Sequence, residues 1–205
     1  MTERLLIGTA NPGKQREYSD LLAGLDLELV RPEDLDPIPP EPDESGSTFA
    51  ENASYKARAY AAASGLLTVA DDSGLEVDAL HGAPGLRSRR FFGEDATPDQ
   101  RNVRLLALLE GVAARGARFV CVTALAWPDG RVELFDGEVR GEITHAPRGA
   151  HGFGYDPIFE IAGDGRTMAE LTGDEKHRVS HRGLAVAKLR AFLSEEPRST
   201  PDVRR

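Results

Sequence analysis

The sequence has few of the residues that mark several common classes of protein. Its single cysteine, Cys121, excludes an intrachain disulfide and gives no support to a zinc cluster. No apolar run approaches the roughly 20 residues that a membrane-spanning helix needs. The amino terminus also lacks the basic start and apolar segment of a signal peptide. A cytoplasmic protein without membrane contact is therefore expected.

Positive charge is scarce as well. A formal net charge of -9 at pH 7 argues against a general nucleic-acid binder, whose phosphate contacts need a broad basic surface. A small anion needs only a local cluster. Only four of the 25 basic residues are lysines, which carry a compact point charge rather than a planar guanidinium. Three of them, Lys14, Lys56 and Lys176, lie in stretches that other features single out.

The rest of the composition is that of an ordinary globular protein. The 205 residues, 40% of them hydrophobic and 29% charged, can form one large domain or two closely packed lobes. We expect residues 1–194 to form a single two-lobed domain. The polar, proline-broken residues 195–205 are expected to be a disordered tail.

The centre of the sequence is an apolar run at residues 66–70 that ends in Asp71, Asp72, Ser73 and Gly74. This pattern predicts a buried strand that delivers carboxylates to its carboxyl end, where open α/β sheets bind ligands. Successive strand residues point to opposite faces, so one aspartate should be structural and the other should face a cleft. Because all four residues also form turns, a plain turn is the alternative.

A candidate anion site lies near the amino terminus. Residues 4–9 read as a strand and residues 14–22 as a helix, and the loop between them would aim backbone N–H groups and the helix dipole at one spot. Gly8-x4-Gly13-Lys14 matches a P-loop until Gln15, which stands where Ser or Thr would bind magnesium. We expect phosphate binding without membership of the P-loop family. An ordinary strand-to-helix turn is the alternative.

A second helix is predicted from Thr48 to about residue 65. Thr48 and Glu51 form a capping box, which is a sufficient structural explanation for Glu51. Glu44 precedes it in a Gly-Ser loop, where its carboxylate is either free to reach a metal or simply solvated. Asn52 and Lys56 are four residues apart, so they share one helix face and could line a polar cleft.

Further elements are predicted along the second half of the chain. Leu75 and Val77 indicate a half-buried strand over residues 75–79, and a capped helix covers residues 97–116. Residues 117–127 and 131–139 flank a hairpin turn, and a third strand is expected at residues 141–145. Thr167 and Glu170 should open a short helix. Arg87, Arg89 and Arg90 suit either a polyphosphate or a solvated face.

A glycine-rich loop at residues 149–157 holds Phe153 and Tyr155. Aromatic rings on such a loop suit stacking on a flat ligand, with Asp156 nearby to read its edge, although loop aromatics also fold back into the core. Ser180 is placed to cap the last helix, which puts His181 and Arg182 in its first turn. Cations there oppose the helix dipole, which is a mild sign that they serve a ligand.

Six motifs follow one another in a recognisable order: TANPGK, DESGSTFAEN, ADDSG, GAPG with the arginines after it, GFGYDP and EKHRVSHRG. On these motifs the chain resembles the inosine/xanthosine triphosphate pyrophosphatase family from residue 5 to residue 193. The resemblance implies an α/β, elongated two-lobed fold around a mixed β-sheet flanked by helices, with the active-site cleft between the lobes. It also implies a homodimer, Mg²⁺ as cofactor, and hydrolysis of deaminated purine nucleoside triphosphates to the monophosphate and pyrophosphate.

The resemblance also implies roles for particular residues. Asp72 would be the proton acceptor, and Glu44 and Asp72 would be the magnesium ligands. Selectivity would come from donors that face the purine O6, with Arg182 and a backbone N–H as candidates, because adenine's amino group would leave a buried donor facing a donor. The residues expected to bind the substrate are Thr9, Ala10, Asn11, Pro12, Gly13, Lys14, Ser73, Phe153, Gly154, Tyr155, Asp156, Lys176, His181 and Arg182.

Three alternatives stay open at this point. The first is a P-loop NTPase that cleaves the β-γ bond, the second is a nucleotide-sensing module without turnover, and the third is a related pyrophosphatase for modified pyrimidine nucleotides. The products distinguish the first alternative, the absence of turnover distinguishes the second, and a panel of substrates distinguishes the third.

Overall fold

The computed structural model describes residues 2–195. Within them a six-stranded mixed sheet has the order β2-β1-β3-β4-β5-β6, in which β2, β1 and β3 are parallel and the remaining neighbours pair antiparallel. This confirms the expected α/β class with a mixed sheet. The strands are β1 (Glu3–Ile7), β2 (Leu27–Val30), β3 (Leu67–Val77), β4 (Gly116–Ala126), β5 (Val132–Ile143) and β6 (Phe159–Ile161).

Helices lie on both faces of the sheet, and three of the five described helices begin at a predicted cap. The helices are α1 (Pro12–Leu21), α2 (Phe49–Ser64), α3 (Pro98–Leu108), α4 (Gly173–Val179) and α5 (His181–Glu195). Thr48 caps α2, and Thr97 caps α3. Helix α1 begins two residues before the predicted Lys14, because the Asn11 side chain caps it and Pro12 fits its first turn. Ser180 accepts a hydrogen bond from the Gly183 N–H and so caps α5 as expected.

Three predicted boundaries were wrong. Helix α3 ends at Leu108 rather than near residue 116, and the connection from it to β4 at Gly116 includes Gly111 at φ 73°, outside the helical region. The strand predicted at residues 141–145 is the continuation of β5, and the capping box at Thr167 opens only a single 3₁₀ turn before α4. Strands β2 and β6 were not predicted; at four and three residues, they are too short to show a period of two.

The largest difference from expectation concerns Asp71 and Asp72. The sequence predicted that the strand would stop there, yet β3 continues to Val77 because β4 pairs with it from Thr68 onward. Pairing with a neighbouring strand overrides the turn preference of these residues, so the turn alternative was wrong. The parallel partner β1 ends opposite Val69, so both aspartates lie just past the end of the parallel part of the sheet.

The core explains why the two aspartates have different surroundings. Val69 packs in a cluster with residues of α1 and α5, whereas the next residue, Ala70, packs with the alanines of α2. The alternation of β3 therefore turns Asp71 toward α1 and α5, and Asp72 toward α2. A third cluster, with Leu75 and Phe119 among its members, covers the other end of the long strands.

Gly74 shows how closely the chain approaches β3 at this point. A Cβ atom on Gly74 would lie 2.3 Å from the Gly85 carbonyl oxygen, so only glycine fits there. The predicted tail at 195–205 lies outside the described residues except for Glu195, which is the last residue of α5. Over residues 2–195, the helices lack the combination of length and apolarity that crossing a membrane requires.

Candidate active site

A cavity of about 250 Å³ brings most of the predicted site residues together. Of the sixteen, only Ala10, Pro12 and Gly13 are not among its lining residues in the described part of the chain. The predicted residues that line it are Thr9, Asn11, Lys14, Glu44, Asp72, Ser73, Phe153, Gly154, Tyr155, Asp156, Lys176, His181 and Arg182.

The loop before α1 differs from the expected anion cradle. The Asn11 side chain accepts hydrogen bonds from the N–H groups of Gly13 and Lys14, at 2.8 and 3.2 Å. These two donors are therefore occupied within the loop rather than aimed at the cavity. The Lys14 ammonium group supplies the positive charge instead, and it lies 3.1 Å from the Asp71 carboxylate.

Asp71 is the structural aspartate of the pair. Its side chain is fully buried, and its Oδ2 accepts a hydrogen bond from Arg182 at 2.9 Å and forms an ion pair with Lys14. Burial alone would raise the pKa of Asp71, but the charges of Arg182 and Lys14 outweigh burial and hold it well below its ordinary value. Asp71 is therefore a permanent negative charge behind the cavity wall.

Asp72 is the aspartate of the pair that faces the cavity. Strand alternation predicted that one of the two would do so, and the family resemblance implied that it is Asp72. The Asn52 amide donates to Oδ2 and the Ser73 N–H donates to Oδ1, each at 2.9 Å. Burial raises the pKa of Asp72, although Lys14 and Lys56 nearby act in the opposite direction. A carboxylate that is held by two hydrogen bonds and whose pKa is raised by burial is suited to accept a proton.

Glu44 lies on the cavity wall and forms an ion pair with the buried ammonium group of Lys56. Burial would raise the pKa of Glu44, but Lys56 lowers it overall. Residues 2–195 contain no cluster of three or more acidic, histidine or cysteine side chains that could hold a metal by itself. Magnesium is commonly held by one or two carboxylates together with substrate phosphates and water, so Glu44 and Asp72 are a donor set that fits it.

The two loop aromatics have different positions. The Phe153 ring lines the cavity, with the Lys176 Nζ and the Arg182 Cζ at 4.9 and 5.6 Å from its centroid. Tyr155 instead packs in the third core cluster, and its hydroxyl donates to the Ser88 carbonyl at 3.0 Å. Most of the Tyr155 side chain thus folds back into the core, which was the alternative to ligand stacking. Phe153 instead presents a flat ring to a ligand.

Asp156 braces this loop rather than presenting a free edge-reading group. Its Oδ2 accepts from the Phe153 N–H at 2.8 Å and from Lys176 Nζ at 2.6 Å, and the side chain is buried. Burial raises the pKa of Asp156, with Lys176 opposing that effect. The position of Phe153 therefore depends on the pairing of Asp156 with Lys176.

His181 and Arg182 are not a pair of exposed cations at the start of α5. The His181 imidazole stacks on Phe119 at 4.7 Å between ring centroids, and burial lowers its pKa well below the ordinary value. It is therefore neutral at pH 7, contrary to the expectation of a cation. The Arg182 guanidinium is fully buried and charged, and it donates to Glu17, Asp71 and Ser73.

Glu17 is a residue that the sequence reasoning missed. Its carboxylate accepts from Lys176 at 2.6 Å and from Arg182 at 2.5 Å. Burial would raise the pKa of Glu17, but these two cations lower it to about 2. The available signal was a charged residue beside Tyr18, on the buried side of α1 and one helical turn after Lys14.

The neutral His181 leads to a prediction about pH. The unfolded chain binds a proton at a histidine with a pKa near 6.5, whereas folded His181 does not, so this residue lowers stability as the pH falls below that value. His181→Phe keeps an aromatic ring against Phe119 and removes the proton. We expect the unfolding free energy of this variant to fall less between pH 7 and pH 5, by about 1 to 2 kcal/mol relative to wild type.

Urea unfolding at several pH values measures this difference. His151→Gln changes an exposed histidine and is the matched control. Its unfolding free energy should fall between pH 7 and pH 5 by the same amount as that of wild type. An equal fall in unfolding free energy between pH 7 and pH 5 for wild type and His181→Phe would contradict the prediction.

The fold and the cavity together define a class of protein. The cavity beside the mixed sheet holds a lysine at a helix start, two carboxylates and an aromatic ring beside cations. This combination is typical of a nucleotide-binding enzyme. The chain belongs to the Ham1 family, whose sequence profile matches residues 5–192. This confirms the family resemblance that the six motifs indicated.

Two relatives show how far the similarity extends. A protein named dITP/XTP pyrophosphatase from Symbiobacterium thermophilum is 50% identical over 200 residues, which cover 94% of this chain and 98% of the relative. A protein of the same name from Geobacter sulfurreducens is 48% identical over 192 residues, which cover 93% of this chain and 96% of the relative.

Solved structures support the same assignment. A HAM1 protein from Coxiella burnetii superimposes with a TM-score of 0.86 at 40% identity, covering 96% of this chain and all of the other. A structure described as a nucleoside-triphosphatase and dITP/XTP pyrophosphatase from Mycobacterium abscessus gives a TM-score of 0.72 at 44% identity, covering 91% of this chain and 98% of the other.

Proposed function

We propose that this protein is a nucleoside-triphosphate pyrophosphatase that hydrolyses deaminated purine nucleotides, namely ITP, dITP, XTP and dXTP, to the monophosphate and pyrophosphate. It would thereby remove these nucleotides from the cellular pool. The observation that carries the proposal is one cavity that holds Lys14 at a helix start, Asp72 on a strand and the Phe153 ring. The names of relatives that match nearly the whole chain support the same substrate class.

In this proposal Asp72 accepts the proton of a water molecule that attacks the α-phosphorus. Its two oxygens already accept one hydrogen bond each, from Asn52 and the Ser73 N–H, which fixes the carboxylate and leaves lone pairs for the water. Lys14 lines the same cavity, and its charge would stabilise the negative charge that builds up on the leaving pyrophosphate. The products are a nucleoside monophosphate and pyrophosphate.

Magnesium would be held by Glu44 and Asp72, with phosphate oxygens and water completing its ligands. When bound, it supplies positive charge that makes the phosphoryl group easier to attack. Lys56 forms an ion pair with Glu44, so this ammonium group would have to share Glu44 with the metal or move away from it. It would then be available for a phosphate oxygen.

Base selection would occur beside the Phe153 ring. The ring offers a flat surface, and Arg182 with a backbone N–H of the loop would donate to the purine O6. An adenine would present its amino group to these donors and leave them without an acceptor.

We propose that the enzyme acts as a homodimer in the cytoplasm, and sedimentation of the purified protein tests its state of assembly.

Product analysis in ¹⁸O-labelled water tests the proposed reaction. With ITP, dITP or XTP and Mg²⁺, we expect pyrophosphate and a monophosphate that carries the label, and slow turnover of ATP and GTP. Label in pyrophosphate would move the attack to the β-phosphorus. Orthophosphate with IDP, or binding without turnover, would contradict the proposal and favour the P-loop or nucleotide-sensing alternative.

The role of Glu44 leads to a separate prediction. Glu44→Gln removes one of the two proposed carboxylate ligands, so we expect the Mg²⁺ concentration for half-maximal activity to rise about tenfold or more. Titration of activity with Mg²⁺ at saturating ITP measures this change.

Glu41→Gln is the matched control, because Glu41 also lines the cavity but is partly exposed and forms only a 3.7 Å ion pair with exposed Arg89. It should leave the Mg²⁺ dependence unchanged. An unchanged Mg²⁺ dependence of Glu44→Gln would remove Glu44 from the metal site.

A further inference from the structure

Six charged side chains, four of which line the cavity, form a continuous series of ion pairs in which the sign alternates. The series begins at Lys14, beside the loop at the start of α1, and passes through Asp71 to Arg182. It continues through Glu17 to Lys176 and Asp156, where Asp156 accepts from the Phe153 N–H. An unbroken series of ion pairs thus runs from the phosphate end of the cavity, at Lys14, to the residue that holds its aromatic end, Asp156.

Asp71 and Glu17 are the two links that do not line the cavity in the described part of the chain. Each holds two cations. The Asp71 Oδ2 is shared by Lys14 at 3.1 Å and Arg182 at 2.9 Å, while Glu17 uses one oxygen for Lys176 and the other for Arg182. Both carboxylates are buried, so neither can replace a lost partner with bulk water.

Loss of an ion pair at the Lys14 end of the series therefore changes how strongly the next charged groups pair with one another. A polyphosphate in the cavity competes with Asp71 for the ammonium group of Lys14, which is the least buried cation of the series. Asp71 then depends more strongly on Arg182, whose guanidinium lies over Phe153. A more tightly held Arg182 fixes the surroundings of the ring before a base arrives.

We propose that Asp71 and Glu17 are positioning residues that couple the two ends of the nucleotide site, so that an occupied phosphate end increases the affinity of the aromatic end for a flat base. This inference rests on the proposed function, because it assumes that the cavity takes a purine nucleotide. The coupling is reciprocal, so a bound nucleoside must increase the affinity for polyphosphate by the same factor.

Calorimetry with two separate ligands tests the coupling. We expect inosine to bind wild-type protein about fivefold or more tightly when Mg²⁺ and saturating pyrophosphate are present than with Mg²⁺ alone. Asp71→Asn and Glu17→Gln should each reduce this factor to about one. A ratio of two dissociation constants reports coupling, and a merely structural role of these residues would not change it.

Both variants are chosen so that the protein can still fold. In Asp71→Asn, Arg182 keeps Glu17; in Glu17→Gln, Lys176 keeps Asp156 and Arg182 keeps Asp71. Asp136→Asn removes the exposed carboxylate that pairs with Lys188 and is the matched control, which should keep the wild-type factor.

Two results would overturn the inference. One is a wild-type protein that converts ITP to IMP and pyrophosphate yet binds inosine equally well with and without pyrophosphate. The other is a wild-type coupling factor that survives in a folded Asp71→Asn or Glu17→Gln variant. A wild-type protein that releases no pyrophosphate from ITP would instead overturn the proposed function.

Discussion

Asp72→Asn is expected to reduce the rate of pyrophosphate release from ITP by about 10³-fold or more, while the protein stays folded. Loss of a positioned proton acceptor alone costs about 10² to 10⁴ in rate, and the variant also loses a proposed metal ligand. Burial raises the pKa of Asp72, which means that its ionised form is less stable in the folded protein than in the unfolded chain. The amide NH2 of the new asparagine cannot accept one of the two hydrogen bonds from Asn52 and the Ser73 N–H, and this loss offsets the gain, so the melting temperature should change little.

Initial rates with ITP and Mg²⁺, together with thermal unfolding, measure both effects. Asp136→Asn makes the same chemical change at an exposed position of β5 and should keep the wild-type rate. A rate for Asp72→Asn within tenfold of wild type would exclude Asp72 as the proton acceptor.

Arg182→Met is expected to lower the free energy of unfolding by about 3 to 5 kcal/mol. The substitution leaves two buried carboxylates, Glu17 and Asp71, without the cation that they share. Asp71 keeps Lys14 and Glu17 keeps Lys176, but the buried series is left with one negative charge that has no matching cation, and a buried uncompensated charge costs this much. Urea unfolding at pH 7 measures the change.

Lys188→Met is the matched control for this loss of positive charge. It breaks the exposed pair with Asp136 and should change the free energy of unfolding by less than about 0.5 kcal/mol. A loss of less than about 1 kcal/mol in Arg182→Met would show that the two carboxylates find other compensation.

Local features were predictable because the interactions behind them span only a few residues. Thr48 and Thr97 cap their helices through hydrogen bonds to residues three positions away, and the hairpin between β4 and β5 follows from one short turn. The different roles of Asp71 and Asp72 also followed from the sequence, since the period of a strand puts neighbouring side chains on opposite faces.

Features that depend on distant pairings were not predictable. Strand β3 passes through Asp71 and Asp72 because β4, about 50 residues later, supplies its hydrogen bonds. Glu17 lies beside Tyr18 on the buried side of α1, but its partners Lys176 and Arg182 lie 159 and 165 residues further along the chain, so no local pattern shows the pairing. Asp156 likewise became part of a brace once the fold placed Lys176 beside it.

The sequence by itself determined the family, the mixed α/β class, thirteen of the residues that line the cavity and the different roles of the two aspartates. Only the tertiary structure decided which cation pairs with which carboxylate, that His181 is neutral, and that a buried series of ion pairs joins the two ends of the site. The physical reason is that motifs record the types of side chain, whereas charge pairing and pKa depend on burial and on distances between elements far apart in the chain.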